Sequence, residues 1–276
     1  MSTARLRTRK KHPSCCVGIL TIPHSGKNKY GKSHIMKAYV DWFEDRGVHV
    51  VPIPYDTTEH ETLFRMINGL LIPGGDTSYI MRNNTFLNTV MTFFELSLHY
   101  NEYFPIWGTC FGFEVLLSVV GGFTRFKRYN AHGLTPICLT KDALDSRLFG
   151  SFSKKYIHYL EHEPSTAQNH EYGISPQDFM DNLHLKRFYT ILATAVDEDN
   201  KEYVAAVEGK YYPVYGVIWH PERQQKGGGN FADFFISELK KNDHRCRALT
   251  PAIPSFLQAH KCIQYPEHVD QLCYFF

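Results

Sequence analysis

The sequence lacks the cysteine and histidine spacing of a structural metal site or of a disulfide scaffold. Its seven cysteines, an odd number, lie at positions 15, 16, 110, 138, 246, 262 and 273. None of them form a CxxC pair, and none stands at the spacing from histidines that zinc sites use. We therefore expect neither a structural metal nor a full disulfide framework.

The sequence also lacks an excess of charge of one sign and a long apolar run. Lys and Arg number 30 against 28 Asp and Glu, a formal net charge of +2. A chain so nearly balanced has no basic field that would make nucleic acid its default partner. No stretch reaches the roughly 20 apolar residues that span a bilayer. Nucleic-acid binding and membrane spanning are therefore not expected.

The first residues raise the question of targeting, because five basic side chains precede an apolar run at 15–22. This order imitates a signal peptide, but the run is short and is followed by Pro-His-Ser-Gly rather than a small-residue cleavage site. We interpret residues 1–14 as a basic, disordered leader and 15–22 as a buried first strand. An intracellular, soluble protein is the expectation from the sequence.

The pattern of apolar residues predicts one α/β domain over residues 15–242. The chain is 43% hydrophobic and rich in Phe and Tyr, enough for one large core. Runs rich in Val and Ile alternate with segments of helical period, as happens when crossover helices cover a parallel sheet. Strands are predicted at 17–21, 48–53, 69–72 and 103–107, and a helix is predicted to run from Ser33 to Gly47. We predict a three-layer sandwich with a central, mostly parallel sheet.

The remainder of the chain is less regular. Residues 122–177 mix short strand-like pieces with polar loops, and strands are next predicted at 189–195, 203–207 and 214–219, followed by a helix at 230–241. The tail at 243–276 is rich in proline and aromatic residues. It is either an appended extension or a strap across the surface, and the sequence leaves its role open.

A cysteine between two glycines marks the first candidate site, in the segment Gly-Thr-Cys-Phe-Gly at 108–112. A predicted strand precedes it and a predicted helix at 113–119 follows, which is the arrangement of a nucleophile elbow. Free amides at the helix start can lower the thiol pKa from about 8.5, and the N–H of Phe111 can receive an oxyanion. The alternative is that Cys110 is a small buried hydrophobe. The strand, the helix and the glycine spacing together favour a nucleophile.

A second candidate pair, His220 and Glu222, follows the strand predicted at 214–219. An extended backbone would send both side chains to one face. The imidazole could then take the thiol proton while the carboxylate fixes its tautomer. By itself such a triplet is more often a surface turn. Beside a cysteine elbow it predicts a general base and its orienting residue, because the carboxyl ends of strands meet at one edge of a sheet.

A third motif, Pro-Gly-Gly at 73–75, ends the strand predicted at 69–72. A glycine pair there lets a backbone N–H approach a ligand without side-chain obstruction. Alone it would be an ordinary turn. In company with the elbow, Gly75 is a candidate second oxyanion donor beside Phe111.

In this order the three motifs resemble the class I glutamine amidotransferase-like fold, and the finer match looks like gamma-glutamyl hydrolase. Two features separate that family from the amidotransferase domains: Glu114 directly after the elbow, and the run Tyr-Pro-Val-Tyr-Gly at 212–216 before Trp219. The similarity runs from about residue 17 to about residue 241.

The resemblance implies a cysteine hydrolase that cleaves γ-linked glutamyl bonds, chiefly those of folylpoly-γ-glutamates. It makes Cys110 the nucleophile, His220 the general base and acid, and Glu222 the orienting residue, and it implies no cofactor and no metal. His170 falls where the family carries another active-site histidine, which suggests substrate binding. An exposed loop position for His170 is an equal alternative.

Several questions stay open in the sequence. Arg125, Lys127 and Arg128 could contact an anionic glutamate tail, although a solvated strand edge is the simpler interpretation. Family members usually enter the secretory pathway and work in lysosomes, vacuoles or outside the cell, in contrast to the leader expected here. A homodimer is one possible assembly. Alternative functions are a glutaminase or amidotransferase domain that supplies ammonia, and a catalytically idle binding protein.

Overall fold

The computed structural model describes residues 15–24, 30–77, 82–100, 102–122, 126–224, 226–245, 262–264 and 272–276. The leader predicted at 1–14 lies outside these segments. The strands are β1 (Cys16–Leu20), β2 (Ile22–Pro23), β3 (Ser33–Met36), β4 (His49–Ile53), β5 (Leu70–Ile72), β6 (Ile106–Thr109), β7 (Lys127–Thr135), β8 (Cys138–Leu139), β9 (Thr166–Gly173), β10 (Tyr189–Val196), β11 (Glu202–Gly209), β12 (Val214–Val217), β13 (Cys262–Gln264) and β14 (Leu272–Phe275). The helices are α1 (Lys37–Glu44), α2 (His60–Met66), α3 (Asn84–His99), α4 (Phe111–Gly121), α5 (Arg147–Gly150), α6 (Lys154–His162), α7 (Pro176–Asp181), α8 (Leu183–Phe188) and α9 (Gly228–Leu239), and a 3-10 turn covers Pro221–Arg223.

An eight-stranded sheet forms the centre of the fold, in the order β4-β1-β5-β6-β12-β11-β10-β8. The pairings from β4 to β12 are parallel, whereas β12, β11, β10 and β8 pair antiparallel. The predicted α/β class is confirmed, and the sheet is mixed, with its parallel part in the first half. The parallel strands β5, β6 and β12 are buried at every position, as expected for strands covered on both faces.

Aromatic side chains fill much of the core around the parallel strands. Trp107 of β6 packs edge-on against Trp42 of α1, with ring centroids 6.0 Å apart, and also contacts Phe231 and Phe235 of α9. The Nε1–H of Trp42 donates to the carbonyl oxygen of Gly228 at 3.1 Å. Each such ring contributes about 1.5–3 kcal/mol to the free energy of folding through burial alone. This packing stabilises the strands that end at the candidate site.

The helix predicted from Ser33 is wrong in its first turn, because residues 33–36 form β3 and the helix begins at Lys37. The cause is a partner from the far end of the chain. β14 pairs antiparallel with β3, with Phe275 opposite His34. Side-chain periodicity reports local preference only, and a distant strand can override it.

Two smaller sheets accompany the central one. β13, β14, β3 and β2 form a four-stranded sheet, so the described part of the tail lies against β3. Ser33 and Phe276 exchange two backbone hydrogen bonds, of 3.1 and 2.8 Å. β7 and β9 form an antiparallel pair within the region that was hardest to predict.

Most cysteines of the described segments are free thiols. Cys15, Cys110, Cys138, Cys262 and Cys273 are free thiols, and Cys16 is disulfide-bonded. Within these segments no cluster of three or more His, Cys, Asp or Glu side chains could hold a metal ion, and no helix in them is long and apolar enough to cross a membrane.

Candidate active site

Three neighbouring parallel strands end at the same edge of the central sheet. Ile72 of β5 lies opposite Gly108 of β6, and Gly108 lies opposite Gly216 of β12. The residues that follow these strands are the Pro-Gly-Gly turn, Cys110 and the His-Pro-Glu segment. The topology therefore brings together the three motifs that the sequence singled out.

The backbone at Cys110 has the geometry of a nucleophile elbow. Its φ is 54° and its ψ is −111°, a conformation that costs a side-chain-bearing residue roughly 1–3 kcal/mol. The N–H of Cys110 donates to the carbonyl oxygen of Val217, at the end of β12, at 2.9 Å. Helix α4 begins at Phe111, two residues earlier than predicted.

The two glycines of the elbow are required by close packing. A methyl group built at Gly108 would lie 2.5 Å from the carbonyl oxygen of Gly112, and one built at Gly112 would lie 2.0 Å from that of Ile72. Both distances are far inside van der Waals contact with backbone atoms that cannot move away. The glycines let α4 fold back tightly against β5 and β6.

His220 and Glu222 form a short, buried pair. Nδ1 of His220 lies 2.6 Å from Oε1 of Glu222, and the two side chains are 3% and 0% exposed, so the surface-turn alternative is wrong. The predicted extended backbone is also wrong, because the 3-10 turn Pro221–Arg223 brings the carboxylate back to the ring. The carboxylate accepts the Nδ1 hydrogen, which leaves Nε2 to take a proton.

Gly74 lies close to both the histidine and the cysteine. A methyl group built at Gly74 would lie 2.7 Å from Cε1 of His220 and 3.4 Å from Cβ of Cys110. The two side chains therefore both approach this glycine. The N–H of Gly74 donates to the hydroxyl oxygen of Tyr39 at 2.9 Å, so it is not available to a ligand. Gly75 is exposed, and its N–H stays the candidate oxyanion donor of this turn.

The thiol of Cys110 is held in its neutral form at rest. Burial raises its pKa far above the ordinary value, and Glu114 raises it further once that carboxyl is ionised, whereas Arg223 and the N–H of Phe111 lower it. The N–H of Phe111 at the helix start acts in the predicted direction, but desolvation of the thiolate outweighs it. A thiol in this environment requires a base to remove its proton.

Glu114 lies one helical turn after Cys110 and is fully buried. Burial raises its pKa to about 8, and Thr77 acts in the opposite direction. Neither carboxyl oxygen forms a hydrogen bond of normal length and angle within the described segments. At neutral pH the side chain is therefore mostly a neutral acid beside the thiol.

His170 lies in β9 and is buried, so the exposed-loop alternative is wrong. Nδ1 lies 2.9 Å from the carbonyl oxygen of Tyr172, and Nε2 lies 3.2 Å from Oε1 of Gln168. Burial lowers the pKa of His170 to about 4. The carbonyl oxygen of Asn169, the preceding residue, lies 3.8 Å from Sγ of Cys110. β9 therefore passes close to the thiol. The two ring nitrogens of His170 face groups of its own strand, and the ring packs edge-on against Tyr203 of β11, with centroids 4.9 Å apart.

The basic residues predicted near the site make other contacts. Lys127 forms an ion pair with Asp178 at 2.6 Å, Arg128 donates to the hydroxyl of Tyr172 at 3.4 Å, and Arg125 lies outside the described segments. Lys127 and Arg128 are exposed on β7, as on a solvated strand edge.

Sequence reasoning missed two residues close to the pair. Nε of Arg223 lies 3.6 Å from Oε1 of Glu222, and the hydroxyl of Tyr39 lies 3.5 Å from Nδ1 of His220. Tyr39 fits the apolar period of α1, so no local signal distinguishes it from a core residue. Arg223 follows Glu222 directly and could have been considered from its position alone.

The mixed sheet and the cysteine elbow at the carboxyl edge of its parallel strands define the class I glutamine amidotransferase fold. The sequence model of the family Glutamine amidotransferase class-I matches residues 31–237. A solved structure from Thermoplasma acidophilum, assigned to GMP synthase, matches with a TM-score of 0.57 over 83% of this chain and 95% of that chain; at 17% identity this likeness shows the fold alone.

Closer relatives narrow the family. Gamma-glutamyl hydrolase of Homo sapiens is 34% identical over 84% of this chain and 80% of its own length. Gamma-glutamyl hydrolase B of Dictyostelium discoideum is 33% identical over 83% of this chain and 73% of its own length. The chain belongs to the gamma-glutamyl hydrolase family of enzymes, and the resemblance seen in its sequence is confirmed.

Proposed function

We propose that the protein hydrolyses γ-glutamyl bonds with Cys110 as nucleophile, His220 as general base and acid, and Glu222 as the orienting carboxylate. The observation that carries the proposal is the buried His220–Glu222 contact of 2.6 Å beside a cysteine in a strained elbow. The names of the relatives support the γ-glutamyl bond as the one that is cleaved.

In the first half of the reaction, Nε2 of His220 removes the thiol proton as sulfur attacks the γ-carbonyl carbon. The N–H groups of Phe111 and Gly75 hold the oxyanion of the tetrahedral intermediate. His220 then gives its proton to the departing nitrogen. The C–N bond breaks, the amine leaves, and a thioester to Cys110 remains.

In the second half, water replaces the amine. His220 takes a proton from water, the oxygen attacks the thioester carbonyl, and the C–S bond breaks. The γ-carboxylic acid leaves and ionises in solution, and His220 returns the proton it took from water to the thiolate. The proposed mechanism requires no metal and no cofactor, because the imidazole of His220 carries out the proton transfers of both halves.

For the substrate we propose folylpoly-γ-glutamate, on the strength of the resemblance around Glu114 and before Trp219. We propose that His170 contacts the substrate. The carbonyl oxygen of Asn169, its neighbour in β9, lies 3.8 Å from Sγ of Cys110, which supports this role. Replacement of His170 by Asn is then expected to lower kcat/KM for a polyglutamate substrate.

The test is a product analysis on pteroylpentaglutamate, with ammonia release from free glutamine measured in parallel. We expect released glutamate or short γ-glutamyl peptides, and no product from Cys110→Ala. Ammonia from glutamine without cleavage of the pentaglutamate would overturn the proposal in favour of a glutaminase. The lengths of the products also distinguish cleavage at the chain end from internal cleavage.

A further inference from the structure

Tyr39 joins two of the loops that build the site. It lies in α1, fully buried. Its hydroxyl oxygen accepts the N–H of Gly74 at 2.9 Å and lies 3.5 Å from Nδ1 of His220. Gly74 follows β5 and His220 follows β12. The segments that follow two neighbouring strands therefore both contact the hydroxyl oxygen of Tyr39. The proposed chemistry does not use this oxygen directly.

The hydrogen bonds around this oxygen can be assigned one by one. The Nδ1 hydrogen of His220 goes to Glu222, at 2.6 Å, and the Gly74 hydrogen goes to the phenol oxygen. Burial raises the pKa of Tyr39 well above its ordinary value, and the charge of Glu222 raises it further. The phenol therefore stays neutral, and its oxygen accepts from Gly74 while it lies against the imidazole of His220.

Close packing at Gly74 connects the position of the Tyr39 hydroxyl oxygen to the position of the Cys110 thiol. A methyl group built at Gly74 would lie 3.1 Å from the hydroxyl of Tyr39, 2.7 Å from Cε1 of His220 and 3.4 Å from Cβ of Cys110. A shift of Gly74 would change the distance between imidazole and thiol. It would also move the N–H of Gly75, the next residue.

We propose that Tyr39 is a positioning residue whose hydroxyl fixes Gly74 and the His220–Glu222 pair in one arrangement. In that arrangement Nε2 of His220 faces the thiol, and the Gly75 amide faces the developing oxyanion. The inference rests on the proposed function, because it assigns Tyr39 a task for the same nucleophile and base.

The hydroxyl, rather than the ring, carries this role. Phe at position 39 would keep the packing of α1 but would leave the N–H of Gly74 buried without its acceptor. The turn would move to recover a partner. We expect a larger effect on proton transfer than on substrate affinity, because the hydroxyl of Tyr39 lies near Nδ1 of His220, the ring nitrogen that does not take the thiol proton.

The test compares Tyr39→Phe with Tyr189→Phe. Tyr189 is a matched control, since it is equally buried and its hydroxyl donates to the carbonyl oxygen of Leu116 at 3.1 Å, away from the pair. We expect Tyr39→Phe to lower kcat about 10- to 100-fold with KM nearly unchanged. Alkylation of Cys110 by iodoacetamide at neutral pH should slow by a similar factor. Tyr189→Phe should lose thermal stability while both rates stay near wild type.

A second variant disturbs the same contact from the glycine. Gly74→Ala places a methyl group 2.7 Å from Cε1 of His220 and 3.1 Å from the hydroxyl of Tyr39, so the same fall in kcat is expected. The inference is overturned if Tyr39→Phe keeps wild-type kcat and alkylation rate, or if it loses no more activity than Tyr189→Phe. Wild-type turnover and inactive Cys110→Ala report on the proposed function separately, and the alkylation rates report on Tyr39 even without a substrate.

Discussion

The strand ends of the parallel half and the strand β9 serve the candidate site in different ways. The parallel half supplies the proposed nucleophile and base: Cys110 directly follows β6, which ends at Thr109, and His220 lies shortly after β12, which ends at Val217. β9 contributes backbone carbonyl groups: that of Ala167 accepts the N–H of His220 at 2.9 Å, and that of Asn169 lies near the thiol. The comparison indicates that reactive side chains come from the sheet edge and that β9 mainly supports them.

The largest expected effect tests the strand-end side of this comparison. Replacement of Cys110 by Ala should reduce γ-glutamyl hydrolysis at least about 10³-fold, because the reaction loses its nucleophile. The melting temperature should change little, since a thiol becomes a methyl group. Cys138→Ala, at an exposed free cysteine, is the control and should keep full activity. Substantial turnover by Cys110→Ala would refute the assignment.

A somewhat smaller loss is expected from Glu222→Gln. The amide keeps the size of the carboxylate but cannot balance an imidazolium, so kcat should fall about 10²- to 10⁴-fold. Glu102→Gln is a matched control, because Glu102 also pairs with a histidine, His244, at 2.6 Å and lies elsewhere in the fold. Steady-state kinetics of both variants decide the point, and equal activities would remove Glu222 from the mechanism.

For Glu114, next to the proposed nucleophile, the prediction concerns the pH dependence of stability rather than the rate of the reaction. Burial raises its pKa from 4.5 to about 8, so the folded state binds a proton that the unfolded state releases. Below pH 4.5 both states are protonated. Between pH 4.5 and 8 the free energy of unfolding should fall by roughly 1.4 kcal/mol per pH unit from this group, and the loss is complete above that range.

Denaturant unfolding of Glu114→Gln at several pH values checks this prediction. The variant should become more stable relative to wild type as the pH rises from 5 to 8, since it has no proton to hold. Glu95→Gln, at an exposed position of α3, should follow the wild-type dependence. If Glu114→Gln follows it too, Glu114 is not the buried neutral acid described here.

The smallest effect is expected on the solvated edge of β7. Lys127 is 61% exposed and pairs with Asp178, and such pairs contribute about 0–1 kcal/mol. Lys127→Ala should therefore keep kcat/KM for a polyglutamate substrate within about twofold of wild type. A large rise in KM would instead place Lys127 in contact with the substrate tail.

The sequence predicted the parallel half of the sheet better than the contacts between distant parts of the chain. The parallel strands and the elbow were predictable because each depends on neighbours in the chain: apolar runs, glycines and the helix that follows. β3 was not, since its partner β14 lies more than 200 residues further on. The contact of Tyr39 with Gly74 was hidden for the same reason, because it joins α1 to the end of β5. His220 and Glu222 were paired correctly, although a turn rather than an extended backbone joins them.

The most direct test of the central claim is stoichiometric alkylation of Cys110. The protein would be treated with iodoacetamide, modified sites would be quantified by peptide mass spectrometry, and glutamate release from pteroylpentaglutamate would be measured on the same samples. We predict that activity falls in proportion to the modified fraction of Cys110 and is independent of modification at Cys138. Protein that is fully alkylated at Cys110 and still cleaves the pentaglutamate would contradict the account.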